Sequence, residues 1–511
     1  MYAKLVFYWA FIINCGIIKA TTFWRRVILY TKALLTDLYQ LTMMQGLFFE
    51  GKHEQQCVFD RYYRTNPFQG GYTVVAGLEH LIDYVHNIHF SDDDLAYLQR
   101  TGFFKPEFLD YLKDLHFTGD IYAMPEGTVA FPQEVLLRVQ TKKDEALLLE
   151  TCMSMIMNHE SLIATKARRV RTVAGKDNLM EFGLRRAQGK SAGVYGARSA
   201  MIGGFNGTSN VLAGAKFGMP ILGTMAHSWI MSFPTELEAF RAYARQYPNN
   251  LILLADTYNT LKQGVPDAIT IFKEMKAAGT LPKAYGIRLD SGDLAYLSKE
   301  ATKMFTDAGF PDAIIAASND LDENLISELK AQGCTITSWG VGTNLITAKD
   351  SPSLGGVFKL VGQYDDGKFV PKIKMSDNAE KISNPGLKNV LRIYDKASAK
   401  MKADIIILEG ESIDETKDLQ LQSDKAPWRS RTIKGGTYRV QKMLVPIFQK
   451  GKLVYAKPSL KAIMEYADQQ IQTLWPEYLR LVNPEEMWVQ RSTKLSALRD
   501  EVLKKESAHF F

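Results

Sequence analysis

Cysteine is scarce in this chain. Four residues in 511, Cys15, Cys57, Cys152 and Cys334, stand far apart with no C-x-x-C pair. That excludes a disulfide framework and a structural zinc site and points to a reducing compartment, the cytoplasm. Histidine is sparse too, eight residues without a metal constellation; His86 and His89, three apart, have the spacing of a solvated helix face. An excess of one charge is also missing, since 62 basic residues against 56 acidic ones leave +6. With no basic stripe to track a phosphate backbone, a nucleic-acid partner is not expected, whereas a few local basic sites suit phosphorylated small molecules. Long apolar runs are confined to Leu5–Ile18, fourteen residues after Lys4. This is shorter than the ~20 residues a bilayer requires, so no membrane partner is expected for the body of the chain. No clean cleavage site follows, and the first thirty residues remain open between a translated upstream segment, a degenerate signal and an extra helix.

What remains is an ordinary globular composition, 46% apolar and 11% aromatic, long enough for two or three cores. From Leu34 to about Glu150 the pattern is mixed. Asp37–Phe49 has helical spacing, Gln56–Tyr63 is strand-like, Gly71–His86 opens a helix, Pro106–Phe117 is helical, and Thr128–Thr141 alternates around Pro132. A long amphipathic stretch, 145–173, leads into a regular portion. Short β-rich runs at 220–223, 251–255, 284–289, 313–317 and 335–339 start 31, 33, 29 and 22 residues apart. Helical stretches at 235–245, 267–278, 294–308 and 323–331 separate them. These are βα-unit lengths, and they predict a parallel sheet, either closed into a barrel or doubly wound. Beyond Gly356 come a strand at 357–363, a Gly- and Lys-rich stretch through Lys374, and strands at 388–394, 403–408, 442–448 and 453–455. Glu409 to Lys425 is a polar loop or linker, and the last fifty residues are mainly helical.

Polar residues follow each run of the regular portion. They are Thr224 and His227, then Asp256, then Asp290 to Asp293, then Ser318-Asn319-Asp320, then Gly340 to Thr343. Parallel strands gather their C-terminal ends at one mouth, so these residues are expected to meet there. Helix capping competes with that reading; it is favoured for Asp320 and Asp322, but it explains only one carboxylate of Arg288-Leu-Asp-Ser-Gly-Asp293. Arg288 offers a fork for a carboxylate or phosphate, and Asp290 and Asp293 offer acids for ribose hydroxyls or Mg²⁺. A lone His is usually structural, but at the mouth His227 becomes a candidate general base or phosphoryl acceptor. Gly203-Gly-Phe-Asn-Gly-Thr-Ser-Asn210 before a helix, and Gly340 and Gly342 with Thr343, resemble anion-holding turns and suggest a phosphorylated ligand. A P-loop is excluded by Leu184, and a dinucleotide fingerprint by Leu345, each standing where glycine is required.

Six stretches in order resemble the nicotinate phosphoribosyltransferase family. They are Leu35-Thr-Asp-Leu-Tyr-Gln-Leu-Thr-Met43, Phe182-Gly-Leu-Arg-Arg-Ala-Gln-Gly189, Gly204-Phe-Asn-Gly-Thr-Ser-Asn-Val-Leu-Ala-Gly214, Gly223-Thr-Met-Ala-His-Ser228, Arg288-Leu-Asp-Ser-Gly-Asp293 and Gly340-Val-Gly-Thr343. The resemblance runs from about Leu34 to the C-terminus. It implies an α/β fold, the incomplete (β/α) barrel of the type II phosphoribosyltransferase kind packed with an α+β domain, in a homodimer with shared active sites. The expected division is an extension at 1–33, an α+β domain at 34–150, a barrel domain at 151–370, and a strand and helix region at 371–511 packing on the N-terminal domain.

The implied reaction joins nicotinate to 5-phosphoribosyl 1-diphosphate, giving nicotinate mononucleotide and diphosphate, with ATP hydrolysis coupled to it and Mg²⁺ present. By the same resemblance His227 is phosphorylated by ATP. Tyr39, Thr224 and Arg288 match nicotinate-site positions, with Tyr39 reaching in from the other subunit, and Thr343 matches a contact to phosphoribosyl diphosphate. Phe182 and Arg185 match the base pocket of the nicotinamide-using relatives; without the resemblance, Phe182 and Tyr39 read as core packing. Those relatives carry an aspartate where this chain has Ser209. A carboxylate there would repel nicotinate, so Ser209 favours the acid over the amide. The chemistry suits these residue types, because nicotinate is already nucleophilic and the barrier is charge on an oxocarbenium-like sugar and on departing diphosphate. The alternatives are a nicotinamide or quinolinate phosphoribosyltransferase, or a barrel that has lost catalysis and acts as a binding or scaffold protein.

Overall fold

The strand and helix alternation of the central sequence closes most of the way into a barrel. The computed structural model describes residues 31–378, 381–423 and 428–508; Leu5–Ile18, Cys15 and nearly all of the 1–33 extension lie outside the described residues. Six parallel strands form the barrel wall: β1 (Asn178–Glu181), β2 (Gly207–Thr208), β3 (Leu251–Leu254), β4 (Tyr285–Leu289), β5 (Ile314–Ala317) and β6 (Ser338–Val341). Their order in space is β2-β1-β6-β5-β4-β3. The last strand in sequence, β6, therefore pairs with the first, Ser338 opposite Asn178 and Val341 opposite Glu181. The predicted strands at 251–255, 284–289 and 313–317 coincide with β3, β4 and β5. The one at 335–339 is displaced to β6, and the one at 220–223 reduces to a single bridge between Ile221 and Thr208. At that seam the wall is open, and side chains span it: Asn250 Nδ2 donates to Gly223 O at 3.1 Å.

The helices between the strands follow their sequence signals closely. Glu236–Gln246 begins at Thr235, whose hydroxyl accepts from Glu238 N, and it buries Ala239, Phe240 and Tyr243 on one face. Full burial of a side chain such as Phe240 contributes roughly 2–3 kcal/mol. Glu323–Ala331 begins at Asp322, whose carboxylate accepts from Leu325 N at 2.8 Å.

A second sheet has seven strands and draws on both ends of the chain. Gln56–Tyr63 sits within it between Gly356–Asp365 and Leu137–Lys142, and Val445–Gln449 pairs with Asp120–Ala123 on the far side. Cys57 to Tyr63 are buried without alternation because both faces are covered. Asp60 meets Lys388 at 2.8 Å on one face, both side chains being buried. On the other face Arg61 donates to Asn158 of the helix Lys143–Ala174. That helix has 32 residues, about 48 Å by the helical rise, and it packs against this sheet and against the barrel. Among the described residues no helix is long and apolar enough to cross a membrane.

Candidate active site

The polar residues that follow the barrel strands do meet. Thr224, beyond the seam, receives a hydrogen bond from Arg288 Nη1 at the end of β4. His227 opens the helix His227–Met231, and its Nε2 faces Asp256 Oδ1 at 3.3 Å. Asp256 follows β3 with a side chain only 2% exposed. Its second oxygen accepts from Asp290 N and from Ser291 Oγ, each at 2.7 Å. Asp290 in turn accepts from Ser318 Oγ, beyond β5. One continuous set of contacts thus joins His227, Asp256, Asp290 and Ser318, with Arg288 and Thr224 beside it. Burial pulls the Arg288 guanidinium below its usual value, Asp290, Asp256 and Tyr243 oppose that, and the positive charge of Arg185 reinforces it. Arg185 itself is exposed, on the turn Leu184–Arg186.

Phe182 enters from the neighbouring strand end. Its N–H donates to Val341 O at 2.9 Å, and its ring lies over Gly340, where a Cβ would come within 2.6 Å of the ring. Gly340 lacks a side chain because Phe182 takes that space. Gly342 caps the short helix Thr343–Ile346, placing Thr343 in its first turn at the rim. Ser209 is exposed, and its backbone N–H donates to Glu181 O at 2.9 Å. Glu181, wholly buried, ties this corner together by accepting from Thr208 Oγ1 and from Gly183 N. Burial raises its carboxyl above the usual range, against the pull of those two donors.

Several expected residues sit elsewhere or do something else. Asp293 is exposed and caps the helix Leu294–Asp307, its carboxylate accepting from Tyr296 N at 2.9 Å. Tyr39 lies on the helix Leu38–Phe49, half exposed, with Gln40 donating to its hydroxyl. The first glycine-rich turn is not an open anion cradle. Gly203 is pressed against Ala164 and Ala167 of the 143–174 helix, and Gly204, at φ +102°, against Arg171 and Arg168.

Capping accounts for Asp322 but not for Asp320. Asn319 and Asp320 have φ of +96° and +42°, are exposed beside Ser318, and are held by Asn344 Nδ2, which donates to Asp320 O at 2.7 Å. Consecutive left-handed backbone at non-glycine residues is strain of the kind that collects at ligand sites. Asp256 belongs to the site as well. Its place after a strand was legible, but one carboxylate with no partner in sequence gave no sign of holding His227 and the 290–291 turn together. A cleft of about 360 Å³ opens between Gln56, Asp120, Gln140, Tyr364 and Lys450 of the second sheet, and none of the expected site residues lines it.

Three family models match the chain in order. Residues 34–158 match the nicotinate phosphoribosyltransferase N-terminal domain, 178–382 the nicotinate phosphoribosyltransferase family, and 387–499 the C-terminal domain. The chain is 45% identical over 454 residues to the nicotinate phosphoribosyltransferase of Bacillus subtilis, covering 89% of this chain and 91% of that protein. It is 37% identical over 509 residues to that of Dictyostelium discoideum, covering 89% and 85%. The crystal structure of human nicotinic acid phosphoribosyltransferase aligns with a TM-score of 0.80 at 28% identity, over 91% of this chain and 99% of that one. A nicotinate-nucleotide pyrophosphorylase from Pyrococcus furiosus shares the fold at a TM-score of 0.65 and 21% identity, over 88% and 98%.

Proposed function

This chain belongs to the nicotinate phosphoribosyltransferase family, and from the mouth of its barrel we infer how it carries out that family's reaction. It is a phosphoribosyltransferase acting on nicotinate in NAD synthesis. The observation that carries the mechanism is the convergence of three successive strand ends, β3 to β5, and the segment after the Ile221 bridge: His227 joins Asp256, Asp290 and Ser318 in one contact set, with Thr224 and Arg288 paired beside it.

Nicotinate sits against the Phe182 ring, its carboxylate paired with Arg288 and reached by Arg185 and Thr224. Ser209 at the rim leaves room for that carboxylate. The pyridine nitrogen bonds to the anomeric carbon of phosphoribosyl diphosphate as the bond to the diphosphate oxygen breaks, and diphosphate departs with the electron pair. Asp290, and Asp320 on its strained turn, accept from the ribose hydroxyls and oppose the positive charge growing on the sugar. Asp293, occupied as a helix cap, acts by fixing the 290–293 turn. The Gly340-Val-Gly-Thr343 turn receives the sugar phosphate. Among the described residues no group of three or more His, Cys, Asp or Glu is placed to hold a metal ion. Mg²⁺, when bound, would neutralise the charge growing on the departing diphosphate, and Asp290 and Asp293 are the carboxylates of the mouth that could help hold it beside the substrate.

ATP coupling is assigned to His227. Nε2 faces Asp256, which leaves Nδ1 as the attacking nitrogen. The Nδ1–P bond forms as the γ-phosphorus separates from its bridging oxygen, ADP leaves with that electron pair, and the Nε2 proton stays opposite Asp256. Water later removes the phosphoryl group as phosphate.

The site is completed in a homodimer. Leu35, Leu38, Tyr39 and Met43 at the 38–49 helix are exposed, and so are Leu184, Val211, Leu212 and Ile221 around the barrel rim. Seating one copy's helix on the other's rim covers both apolar sets and brings Tyr39 to the base pocket. Cys57, Cys152 and Cys334 are unpaired, in keeping with a cytoplasmic location.

The direct test supplies the purified protein with phosphoribosyl diphosphate, Mg²⁺ and each of nicotinate, nicotinamide and quinolinate, with and without ATP. Nicotinate mononucleotide is the expected product, and formation of it is expected to rise with ATP. His227→Ala is expected to abolish coupled ATP hydrolysis while slow uncoupled transfer persists. Unchanged ATP dependence in that variant would remove His227 from the scheme.

A further inference from the structure

The residue next to Tyr39 has no place in the mechanism just described. Gln40 is 0% exposed, while Tyr39 beside it on the helix Leu38–Phe49 is 51% exposed. The Gln40 amide nitrogen donates twice, to the Tyr39 hydroxyl at 3.1 Å and to Glu150 Oε2 at 3.0 Å. Glu150 belongs to the helix Lys143–Ala174, and its neighbour Thr151 donates to Asp37 Oδ2 at 3.0 Å. The start of the Tyr39 helix is thus clamped to the long helix at two points. Among the described residues the amide oxygen of Gln40 meets no donor. Burying a polar oxygen without a partner is costly, and a position that needed only filling would carry an apolar side chain.

These contacts decide which way the phenol can bond. A carboxylate only accepts, so Glu150 holds the nitrogen end of the Gln40 amide towards itself, and that same nitrogen meets the phenol oxygen. The Tyr39 hydroxyl is therefore an acceptor on its protein side, and its own proton is left to point away from Gln40. Among the described residues nothing accepts that proton. Burial, then the charges of Glu150 and Asp37, push the phenol above its usual value against the opposing Gln40 donor, so the proton stays on it.

We propose that Gln40 is a positioning residue, which fixes the Tyr39 hydroxyl as a hydrogen-bond donor to the carboxylate of nicotinate bound in the partner subunit. This rests on the reading that Tyr39 reaches the base pocket across the dimer. An ionised carboxylate offers about four acceptor sites, so a donor arriving from the other copy adds to those of Arg288, Arg185 and Thr224. A phenol that accepts from Gln40 is also polarised towards giving its own proton. Gln40 itself touches no substrate and acts only through its neighbour.

Steady-state kinetics of the purified protein, with KM measured separately for each substrate, separates this role from packing. Tyr39→Phe is expected to raise the KM for nicotinate about tenfold, and Gln40→Met, which keeps the hydroxyl but frees it, about threefold. The KM for phosphoribosyl diphosphate is expected to stay in place in both. Gln40→Met added to Tyr39→Phe is expected to change nothing further, because no hydroxyl is left to orient. Glu150→Leu lets the Gln40 amide turn its oxygen to the phenol; it is expected to raise the same KM, to be silent on Tyr39→Phe, and to decide the matter if Gln40→Met does not fold. A folded Gln40→Met with the wild-type nicotinate KM, or one that raises it equally on Tyr39→Phe, would overturn the proposal and leave Gln40 a packing residue. A rise in the KM for phosphoribosyl diphosphate alone would overturn the carboxylate as the acceptor. Failure of Tyr39→Ala and His227→Ala subunits to recover activity in a mixed dimer would instead overturn the shared-site reading, with the cycle between residues 39 and 40 still deciding whether Gln40 orients the phenol.

Discussion

Single side chains divide into those whose role was legible from their neighbours in sequence and those whose role depends on a partner far along the chain. Ser209 is of the first kind, since its meaning comes from the motif around it. Ser209→Asp is expected to raise the KM for nicotinate by about tenfold and to admit nicotinamide, because a carboxylate there repels one base and accepts from the amide of the other; competition assays with the two bases check this. Glu236, buried without a donor in the first turn of the helix Glu236–Gln246, is of the second kind. Burial, then the charges of Asp267 and Asp256, raise its carboxyl from an ordinary 4.5 to about 7 in the folded protein. Between those values the folded state binds the extra proton, so stability falls as pH rises from 4.5 to 7, and the deficit stays constant above that. Glu236→Gln removes the deficit. Its thermal midpoint is expected to match that of the wild type near pH 4 and to exceed it near pH 8, with melting curves at the two pH values as the measurement.

At the level of elements, periodicity located those whose length and pattern are unambiguous. The helices Glu236–Gln246, Leu294–Asp307 and Glu323–Ala331 and the strands β3 to β5 fall where apolar spacing and capping residues place them. The misses are short. β2 has two residues inside a glycine-rich turn, and β1, though it has four like β3 and β5, reads Asn-Leu-Met-Glu with no β-branched or aromatic residue to mark it; both are strands because a neighbouring strand offers them a ladder. Buried polar links between elements were equally illegible. Arg392 on the strand Lys388–Asp395 donates to Asp404 of the adjacent strand at 2.6–3.0 Å and to Gln470 of the helix Leu460–Gln472 at 2.9 Å. Glu134 lies 3.8 Å from the same guanidinium. Burial and Asp404 raise the Glu134 carboxyl well above its usual range, so the pair of acids depends on that one cation. Arg392→Met is expected to cost about 3–5 kcal/mol, the usual result of leaving a buried charge without its partner, and urea unfolding measures it.

At the scale of the whole molecule, the proposed homodimer has two copies sharing each site. A mixed dimer of Tyr39→Ala and His227→Ala subunits tests it. If Tyr39 acts across the interface, one of the two sites in each mixed dimer is free of both substitutions, and ATP-coupled activity is expected to return on co-expression of two variants that lack it separately. If Tyr39 acted within its own chain, every site would carry one lesion and none would recover. The sequence by itself determined the parallel βα architecture, most of its longer helices and strands, and the identities of the side chains at the barrel mouth, because periodicity, caps and motif spacing are properties of neighbouring residues. Tertiary structure alone decided that β6 returns to pair with β1, that Asp293 caps a helix while Asp256 holds His227, that Asp320 is strained and not a cap, and that Glu236 is buried without a donor. Each of those depends on segments tens of residues apart being brought within a few ångströms, and only packing of the complete chain does that.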